Sequence, residues 1–246
     1  MSKAYEQYFE RLRSLIDEVE AQGPQIEAAA KLMATSIAND GMVHVFGSGH
    51  SHMMAEEVFY RAGGLWAFNA MLDINLTSFG SLRGGMVERA EGYAKVVLDS
   101  FDVRPGEVVV IVSNSGINPV PIELARDARE RGAATIAITS AEHYGNAASR
   151  HSSGKKLVDM VDLVIDSRVP VGDGILMLEG MDTAVAASST VLGAALMNAI
   201  VAQVSQELLA AGVEPPVIVS MNVPDGDQRN RALEAKYGPR LQLFKG

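Results

Sequence analysis

The sequence predicts an α/β protein built on a parallel β-sheet, and three observations support this. Short apolar runs alternate with helical patterns, which is the order that parallel strands and right-handed crossover helices produce. Two clusters of glycine and serine, at Gly47 to Ser51 and at Ser113 to Gly116, each follow an apolar run. The chain has 246 residues, of which 48% are hydrophobic, enough to bury a sizeable core in one α/β domain.

Two helices are expected before the first strand. Apolar residues recur with a helical period through residues 3–21. Gly23 and Pro24 end that helix and open a second one at 24–39. We therefore treat residues 1–246 as one domain with three parts, which are a helical extension at 1–40, a ligand-binding core at 41–212 and a polar tail at 213–246.

Five strands follow, with helices between them. The apolar runs predict strands at 42–47, 66–72, 107–113, 133–139 and 161–166, the second of them at a sheet edge. Helical patterns predict helices at 51–62, 86–100 and 119–131, and a weakly helical, serine-rich stretch precedes the fifth strand. A glycine-containing loop at 167–180 then leads to a long apolar helix at 182–211.

The composition excludes several classes of function. The formal net charge is −9, and Lys155–Lys156 is the only basic cluster in the sequence, so we expect no nucleic-acid partner. The chain has no cysteine, which removes disulfides, thiolate zinc sites and cysteine nucleophiles. The first residues carry charges of both signs and do not resemble a signal peptide. We therefore expect a cytoplasmic protein.

The stretch from Thr183 to Gln206 has no charged residue and is long enough to span a membrane. It contains several polar residues and has no flanking basic anchors, which is atypical of a membrane span. We therefore expect no membrane partner and interpret the stretch as a helix buried in the core or in a dimer interface. With the two leading helices, it offers more apolar surface than a five-stranded sandwich uses, which predicts a homodimer or higher homo-oligomer.

The cluster SNSG has the chemistry of a phosphate site. Ser113 and Ser115 supply hydroxyl groups, and Gly116 can adopt the positive φ that turns several amides toward one point. Asn118 and Pro119 open the next helix, whose positive dipole end would face the same place. The alternative is an ordinary strand-to-helix turn in which the serines only cap the helix.

The cluster GSGHS differs from the nucleotide-binding motifs. His52 stands where the third glycine of GxGxxG would fall, and no acidic residue ends the second strand. Neither cluster contains the lysine of a Walker A loop. We expect no nucleotide and no other cofactor, but a loop that lets a ligand approach the backbone, with Ser51 able to cap the following helix.

Taken together, the GxGxS loop, the SxSG loop about sixty residues later and the strand that ends in Thr139 and Ser140 resemble the sugar isomerase (SIS) domain. The segments AEEVFYRAGG (55–64), RHSSGKKLVD (150–159) and PPVIVSMNVPDG (215–226) are similar to an uncharacterised bacterial SIS subfamily. The resemblance implies a flavodoxin-like three-layer αβα sandwich with a five-stranded parallel sheet. It also implies a homodimer that binds a phosphorylated sugar or aminosugar.

The resemblance assigns residues to this ligand by motif. Ser51, Ser113, Ser115 and Asn118 would hold the phosphate, and Thr139 and Ser140 would lie beside the sugar. The full set of expected phosphate- and sugar-binding residues is Gly47, Ser48, Gly49, His50, Ser51, Ser113, Asn114, Ser115, Gly116, Asn118, Thr139 and Ser140. Loops 73–85 and 167–180 would select the sugar.

The catalytic candidates are two glutamates and two histidines. Isomerisation needs a base that moves a proton between C1 and C2 through an enediol. Glu57 and Glu56 lie on the helix after GSGHS, and family alignment favours Glu57. The alternative for each is an exposed or paired helix glutamate. Glu91 is a weaker candidate.

His52 lies four residues before Glu56, so the two share a helix face and could exchange a proton or ligate a metal. Phosphoheptose isomerases bind zinc through a helix His and Glu with this spacing, but further along the helix, where this chain has Glu57 and Arg61. We therefore expect no metal.

Three other histidines have different expected roles, according to their positions in the chain. His151 lies in a flexible polar stretch, where it could reach across a dimer interface and open the sugar ring. His50 could donate to the ligand or only pack at the loop mouth, and His44 is expected to be structural. The sequence thus predicts a phosphosugar isomerase, and a sugar-phosphate sensor without chemistry and an etherase-type lyase remain alternatives.

Overall fold

Five parallel strands form the central sheet of the protein, whose computed structural model describes residues 3–242, apart from the side chains of Ser81 and Leu82. The strands are β1 (Val43–Gly47), β2 (Phe68–Met71), β3 (Val108–Val112), β4 (Ala134–Thr139) and β5 (Leu163–Asp166). They lie in the order β2-β1-β3-β4-β5, and every neighbouring pair is parallel. The predicted five-stranded parallel sheet is confirmed, with β2 at an edge.

Helices cover both faces of this sheet. They are α1 (Ala4–Glu20), α2 (Gly23–Ala38), α3 (His52–Val58), α4 (Ser81–Val87), α5 (Tyr93–Asp99), α6 (Pro119–Glu130), α7 (Ala141–Asn146), α8 (Ser189–Ala210) and α9 (Gly226–Tyr237). Helices α2, α3 and α8 share one hydrophobic core with strand residues such as Val45. Helices α5 and α6 share a second core with residues such as Ile111. These two cores, one on each face, make the three-layer αβα sandwich that the sequence predicts.

The predicted helix 182–211 begins later than expected. The end of the predicted loop and the start of the predicted helix form an antiparallel hairpin instead. Its strands are β6 (Gly174–Leu176) and β7 (Val185–Ala187). Ala186 has φ of +63°, which is incompatible with a helix at that residue. Helix α8 starts at Ser189, where the Asp173 carboxylate accepts hydrogen bonds from the amides of Ser188 and Ser189, at 2.9 and 2.7 Å.

Two other predicted helices are shorter than their sequence patterns. The predicted helix 86–100 is reduced to α5, since Gly92, just before α5, has φ of +84°. Helix α4 lies mostly in the preceding predicted loop. Helix α3 ends at Val58 rather than near residue 62, and Tyr60 has φ of +42°. A positive φ at a non-glycine residue is costly, so surrounding contacts hold this backbone in place. Tyr60 packs edge-on against Trp66, with ring centroids 5.3 Å apart.

The tail predicted at 213–246 contains structure as far as it is described, and residues 243–246 lie outside that range. Val217 forms an antiparallel bridge with Leu65, just before β2. Helix α9 follows, and the Asn230 side chain bonds both the amide and the carbonyl of Val219. The described part of this segment is therefore packed onto the edge of the domain and is not a free polar tail.

A buried ionic network closes the amino end of the sheet, opposite the glycine loops. Glu107 lies just before β3 and is 2% exposed. Its carboxylate is 3.0 Å from His44 Nε2 and accepts hydrogen bonds from Arg240 Nη1 and from the Met42 amide, at 2.7 and 3.0 Å. His44 is therefore structural, as expected, and Arg240 ties the end of the chain to the sheet.

Helix α8 is long and apolar enough to cross a membrane by length and composition alone. One side of it, including Leu196, Met197 and Ile200, is buried in the core shared with α2 and α3. Val191 and Leu209 lie on the exposed side. The expected burial in the core is confirmed for one side of the helix.

Candidate functional site

The two glycine loops meet where the connections of the sheet diverge. Strands β1 and β3 are neighbours, and Gly47 at the end of β1 pairs with Val112 at the end of β3. The chain leaves β1 toward the face covered by α3, and leaves β3 toward the face covered by α6. A crevice at the carboxyl ends of such diverging strands is where open α/β sheets bind ligands.

A narrow cavity with a volume of about 10 Å³, close to the space of one water molecule, lies at this crevice. It is bounded by the strand ends and by helices α3 and α8. Its lining residues are His50, Ser51, Met54, Val112, Asn114, Ile138, Ser167, Ser189, Thr190 and Gly193. The structure thus brings His50, Ser51 and Asn114 together as predicted. Ser167 opens the loop 167–180 that is expected to select the sugar, and Ser189 and Thr190 are additions from α8, which shows no binding motif in the sequence.

The GSGHS loop is held from several sides. The Gly49 amide donates to Leu76 O at 2.7 Å, and Gly49 has φ of +55°. A β-carbon on Gly47 would lie 2.2 Å from Ser51 O, so the loop needs glycine there. Ser48 Oγ donates to Glu88 Oε1 at 2.7 Å. Among the described residues, the Ser51 hydroxyl has no hydrogen-bond partner, so it is free to bind a ligand.

The SNSG loop combines one internal contact with several free donors. The Gly116 amide donates to Ser113 Oγ at 3.3 Å, and Gly116 has φ of +58°. The Ser115 hydroxyl and the amides of Ser115 and Ile117 have no acceptor within the described part of the chain. Ser113 therefore shapes the loop, and the donors open to an anion are centred on Ser115.

The start of α6 contributes less to an anion site than the sequence suggests. Pro119 and Pro121 have no amide hydrogen, and the Val120 amide donates to Glu88 O at 3.1 Å. Three of the first residues of the helix therefore offer no free amide. An anion at this crevice would be held mainly by the loops.

The predicted residues at the end of β4 are buried supports. Thr139 Oγ1 donates to Asn114 O at 3.3 Å, and it would lie 2.9 Å from a β-carbon placed on Gly116. Ser140 Oγ donates to Val169 O at 2.5 Å and accepts from the His143 amide. Asn114 Oδ1 accepts from Ser167 Oγ at 2.9 Å. Thr139 and Ser140 therefore stabilise the backbone around the site through their hydrogen bonds.

The two helix glutamates are engaged in pairs. Glu56 Oε1 lies 3.1 Å from His52 Nε2, and His52 Nδ1 contacts Gly49 O. Glu57 pairs with Arg61 and accepts from Asn198 Nδ2 at 2.8 Å. Neither glutamate lines the cavity. The structure thus supports the paired alternative for both. A guanidinium does not ligate cations, so Glu57 and Arg61 do not form a metal site.

His151 is paired within its own chain, and its side chain is largely buried there. Its Nε2 lies 3.4 Å from Glu123 Oε1, and both side chains are less than 10% exposed. The Ser153 amide donates to Nδ1 at 3.1 Å, so the neutral ring carries its proton on Nε2, facing Glu123.

Glu91 lies beside this pair, and its carboxylate accepts from the amide and hydroxyl of Ser152. Those bonds lower the pKa of Glu91. One ligand atom from each of Glu91, Glu123 and His151 lies within 4.8 Å of the others. A metal there would have to displace the Nε2 proton. We interpret the cluster as the contact that docks residues 150–153 onto α6.

Docking of this segment brings Arg150 to the SNSG loop. The Arg150 amide donates to Ile117 O at 2.9 Å, and its Nη1 donates to Asn118 Oδ1 at 2.9 Å. The rest of the exposed guanidinium has no partner among the described residues. Asn118 is therefore hydrogen-bonded to a cation, Arg150, that is not among the binding residues expected from the sequence. Arg150 is the first residue of the segment RHSSGKKLVD.

A sequence profile of the SIS domain matches residues 7–140, which include both glycine loops and β1 to β4. The chain belongs to the SIS-domain family. Its relatives include a UPF0309 protein of Listeria monocytogenes, 44% identical over 89% of this chain and 88% of the relative. A UPF0309 protein of Brucella canis is 41% identical over 98% of both chains. The subfamily resemblance in the sequence is thereby confirmed over nearly the whole SIS protein.

Solved structures agree with this SIS fold. A phosphoheptose isomerase from Francisella tularensis superposes with a TM-score of 0.55 and 15% identity, over 82% of this chain and 96% of that one. The phosphoheptose isomerase of Neisseria gonorrhoeae gives a TM-score of 0.51 and 21% identity, over 82% and 97% of the chains. At these identities the likeness establishes the SIS architecture.

Proposed function

We propose that this SIS protein binds a phosphorylated sugar at the crevice between β1 and β3 and interconverts its aldose and ketose forms. The observation that carries the proposal is the set of free donors on two loops that lie side by side at the ends of β1 and β3. The hydroxyls of Ser51 and Ser115 and the amides of Ser115 and Ile117 have no protein acceptor among the described residues. Hydroxyls and backbone amides of this kind are the donors that bind phosphate, and Ser51 also lines the cavity at the crevice.

The sugar would then lie over the mouth of this cavity, beside the loops. Ser167, Ser189 and Thr190 line it with hydroxyls, while Met54 and Gly193 line it with apolar surface. This mixture suits a polyol with a carbon backbone. The loops on the SIS fold and the phosphoheptose isomerase structures support the same class of ligand.

Titration calorimetry with glucose 6-phosphate, fructose 6-phosphate and glucosamine 6-phosphate tests the binding. We expect at least one to bind, and the corresponding unphosphorylated sugar to bind far more weakly. Deuterium incorporation at C2 in deuterated water then tests the isomerisation. Absence of binding by these and other sugar phosphates would contradict the proposal.

A sensor function is the second candidate, and one observation favours it. None of the residues lining the cavity carries a carboxylate, and His50 is the only titratable residue among them. A sensor would bind the sugar phosphate without any exchange at C2. The exchange measurement therefore separates the two candidates.

Replacing Arg150 should weaken phosphate binding. A charge-assisted hydrogen bond contributes about 1.5–3 kcal/mol, so we expect Arg150→Gln to raise the Kd for the sugar phosphate by about 10- to 100-fold. Calorimetry against Arg231→Gln, an exposed arginine of α9, provides the matched control. An unchanged Kd in Arg150→Gln would remove Arg150 from the site.

We also propose that the protein is a homodimer. Exposed apolar residues lie on α1, as Tyr5 and Phe9, and on the outer side of α8, as Val191 and Leu209. A partner subunit would cover such surface. Light scattering should give twice the mass of the chain, and a monomer would contradict the interpretation.

A further inference from the structure

Glu88 is the carboxylate most closely joined to both glycine loops, although no motif includes it. It directly follows α4, and its side chain accepts from Ser48 Oγ at 2.7 Å. Its carbonyl accepts from the Val120 amide, two residues past Asn118, at 3.1 Å. Glu88 therefore bridges the GSGHS loop to the helix that follows the SNSG loop, at the divergence of β1 and β3.

The carboxylate is oriented but not saturated. Ser48 is buried, and its hydroxyl fixes one carboxylate oxygen of the half-buried Glu88. The other oxygen, Oε2, accepts no hydrogen bond from any residue that the structure describes. A general base needs this arrangement, in which one carboxylate oxygen is held in place and the other is free to accept a proton.

The other carboxylates near the loops are more fully engaged. Glu57 is in an ion pair with Arg61, and both oxygens of Glu91 accept from Ser152. Glu123 uses one oxygen for His151 and the other for the Gly92 amide. Glu56 faces solvent with about half of its side chain exposed.

We propose that Glu88 is the general base of the isomerisation, an inference that rests on the proposed function. In the open-chain aldose, Glu88 Oε2 takes the proton from C2. The C2–H electron pair forms the C1=C2 bond of the enediolate, and the carbonyl electrons move to O1. Glu88 then returns its proton to C1 while the hydroxyl proton passes from O2 to O1, giving the ketose. The protein gains and loses no proton overall.

Ser48 acts as a positioning residue in this scheme. Its hydroxyl holds Oε1 and leaves Oε2 free for the proton transfer. The Ser48 hydroxyl already donates to Glu88, although the sequence assigns Ser48 to the ligand, so Ser48→Ala should lower the exchange rate by about tenfold and change the Kd of the sugar phosphate by less than about threefold.

The deciding experiment compares Glu88→Gln with the parent protein. Glutamine keeps an oxygen that can accept from Ser48 Oγ, so the loop contact is retained while the base is removed. A general base contributes about 100- to 10,000-fold to the rate, so deuterium exchange at C2 should fall by that factor. The Kd for the same sugar phosphate should stay within about threefold, and Glu130→Gln, on the exposed end of α6, should match the parent in both measurements.

The outcomes separate this inference from the proposed function. Exchange in the parent together with undiminished exchange in Glu88→Gln overturns the role of Glu88 alone. Loss of binding in a folded Glu88→Gln variant also overturns it, since a base acts on rate. Binding without exchange in the parent overturns both this role and the isomerase function. Absence of binding in the parent overturns the function as a whole.

Discussion

Removing the free hydroxyls of Ser51 and Ser115 should abolish most of the affinity for the sugar phosphate. Each hydroxyl can donate a hydrogen bond to a charged phosphate oxygen, and such a bond contributes about 1.5–3 kcal/mol. The double variant Ser51→Ala/Ser115→Ala should therefore bind at least about 100-fold more weakly by calorimetry. Neither hydroxyl bonds another described residue, so folding should be little affected.

Two further variants test whether the loss of affinity is specific to the hydroxyls of Ser51 and Ser115. Ser100→Ala removes an exposed hydroxyl that bonds only Val96 O on α5, and its Kd should match that of the parent. Ser113→Ala removes the acceptor of the Gly116 amide, so it should lower stability as well as affinity. A double variant with the affinity of the parent would show that the phosphate lies elsewhere.

Glu107→Gln should lower the free energy of unfolding by about 3 kcal/mol, because removing one partner of a buried ionic network leaves the others uncompensated. Glu107 is buried with Arg240 and His44, and it also accepts from the Met42 and Arg104 amides. Denaturant unfolding measures the change. Ligand binding by the folded variant should be unaffected, since the network lies at the opposite end of the sheet.

The same residue makes stability depend on pH. Burial by itself raises the pKa of Glu107, but hydrogen bonds from His44 and Arg240 outweigh it and lower the pKa from 4.5 to about 2. A lowered folded-state pKa stabilises the protein above the unfolded value, and this contribution disappears as pH falls from about 4.5 toward 2.

The stability difference between parent and Glu107→Gln should therefore be full at pH 7 and much smaller near pH 2.5. Glu130→Gln, on the exposed end of α6, should unfold like the parent at both pH values. A difference that is constant with pH would show that Glu107 contributes by packing rather than by its charge.

The sheet and both ligand loops could be predicted from the sequence because their signals are local. A buried parallel strand reads as a continuous apolar run, and glycine with serine after it marks a strand-to-helix turn. All five strands lie within three residues of their predicted bounds. The boundaries that differ depend on single backbone angles, such as those of Gly92 and Ala186.

The pairing of side chains across the site could not be predicted in this way. His151 and Glu123 are 28 positions apart, and Ser48 and Glu88 are 40 apart. Only the packing of α4, α6 and the following loops brings them together. The contact between His52 and Glu56 could be predicted, because helix geometry alone fixes the i, i+4 spacing. The role of Glu88 depends on a contact that has no such local signal.

The prolines that open α6 also bear on how fast a ligand can bind. Their rings fix φ at Pro119 and Pro121, so the backbone after the SNSG loop has lost much of its freedom before any ligand arrives. Little ordering is then left for the binding step. We therefore expect association to be a single rapid phase in stopped-flow measurements, with a rate that follows solvent viscosity and without a slower phase from loop rearrangement.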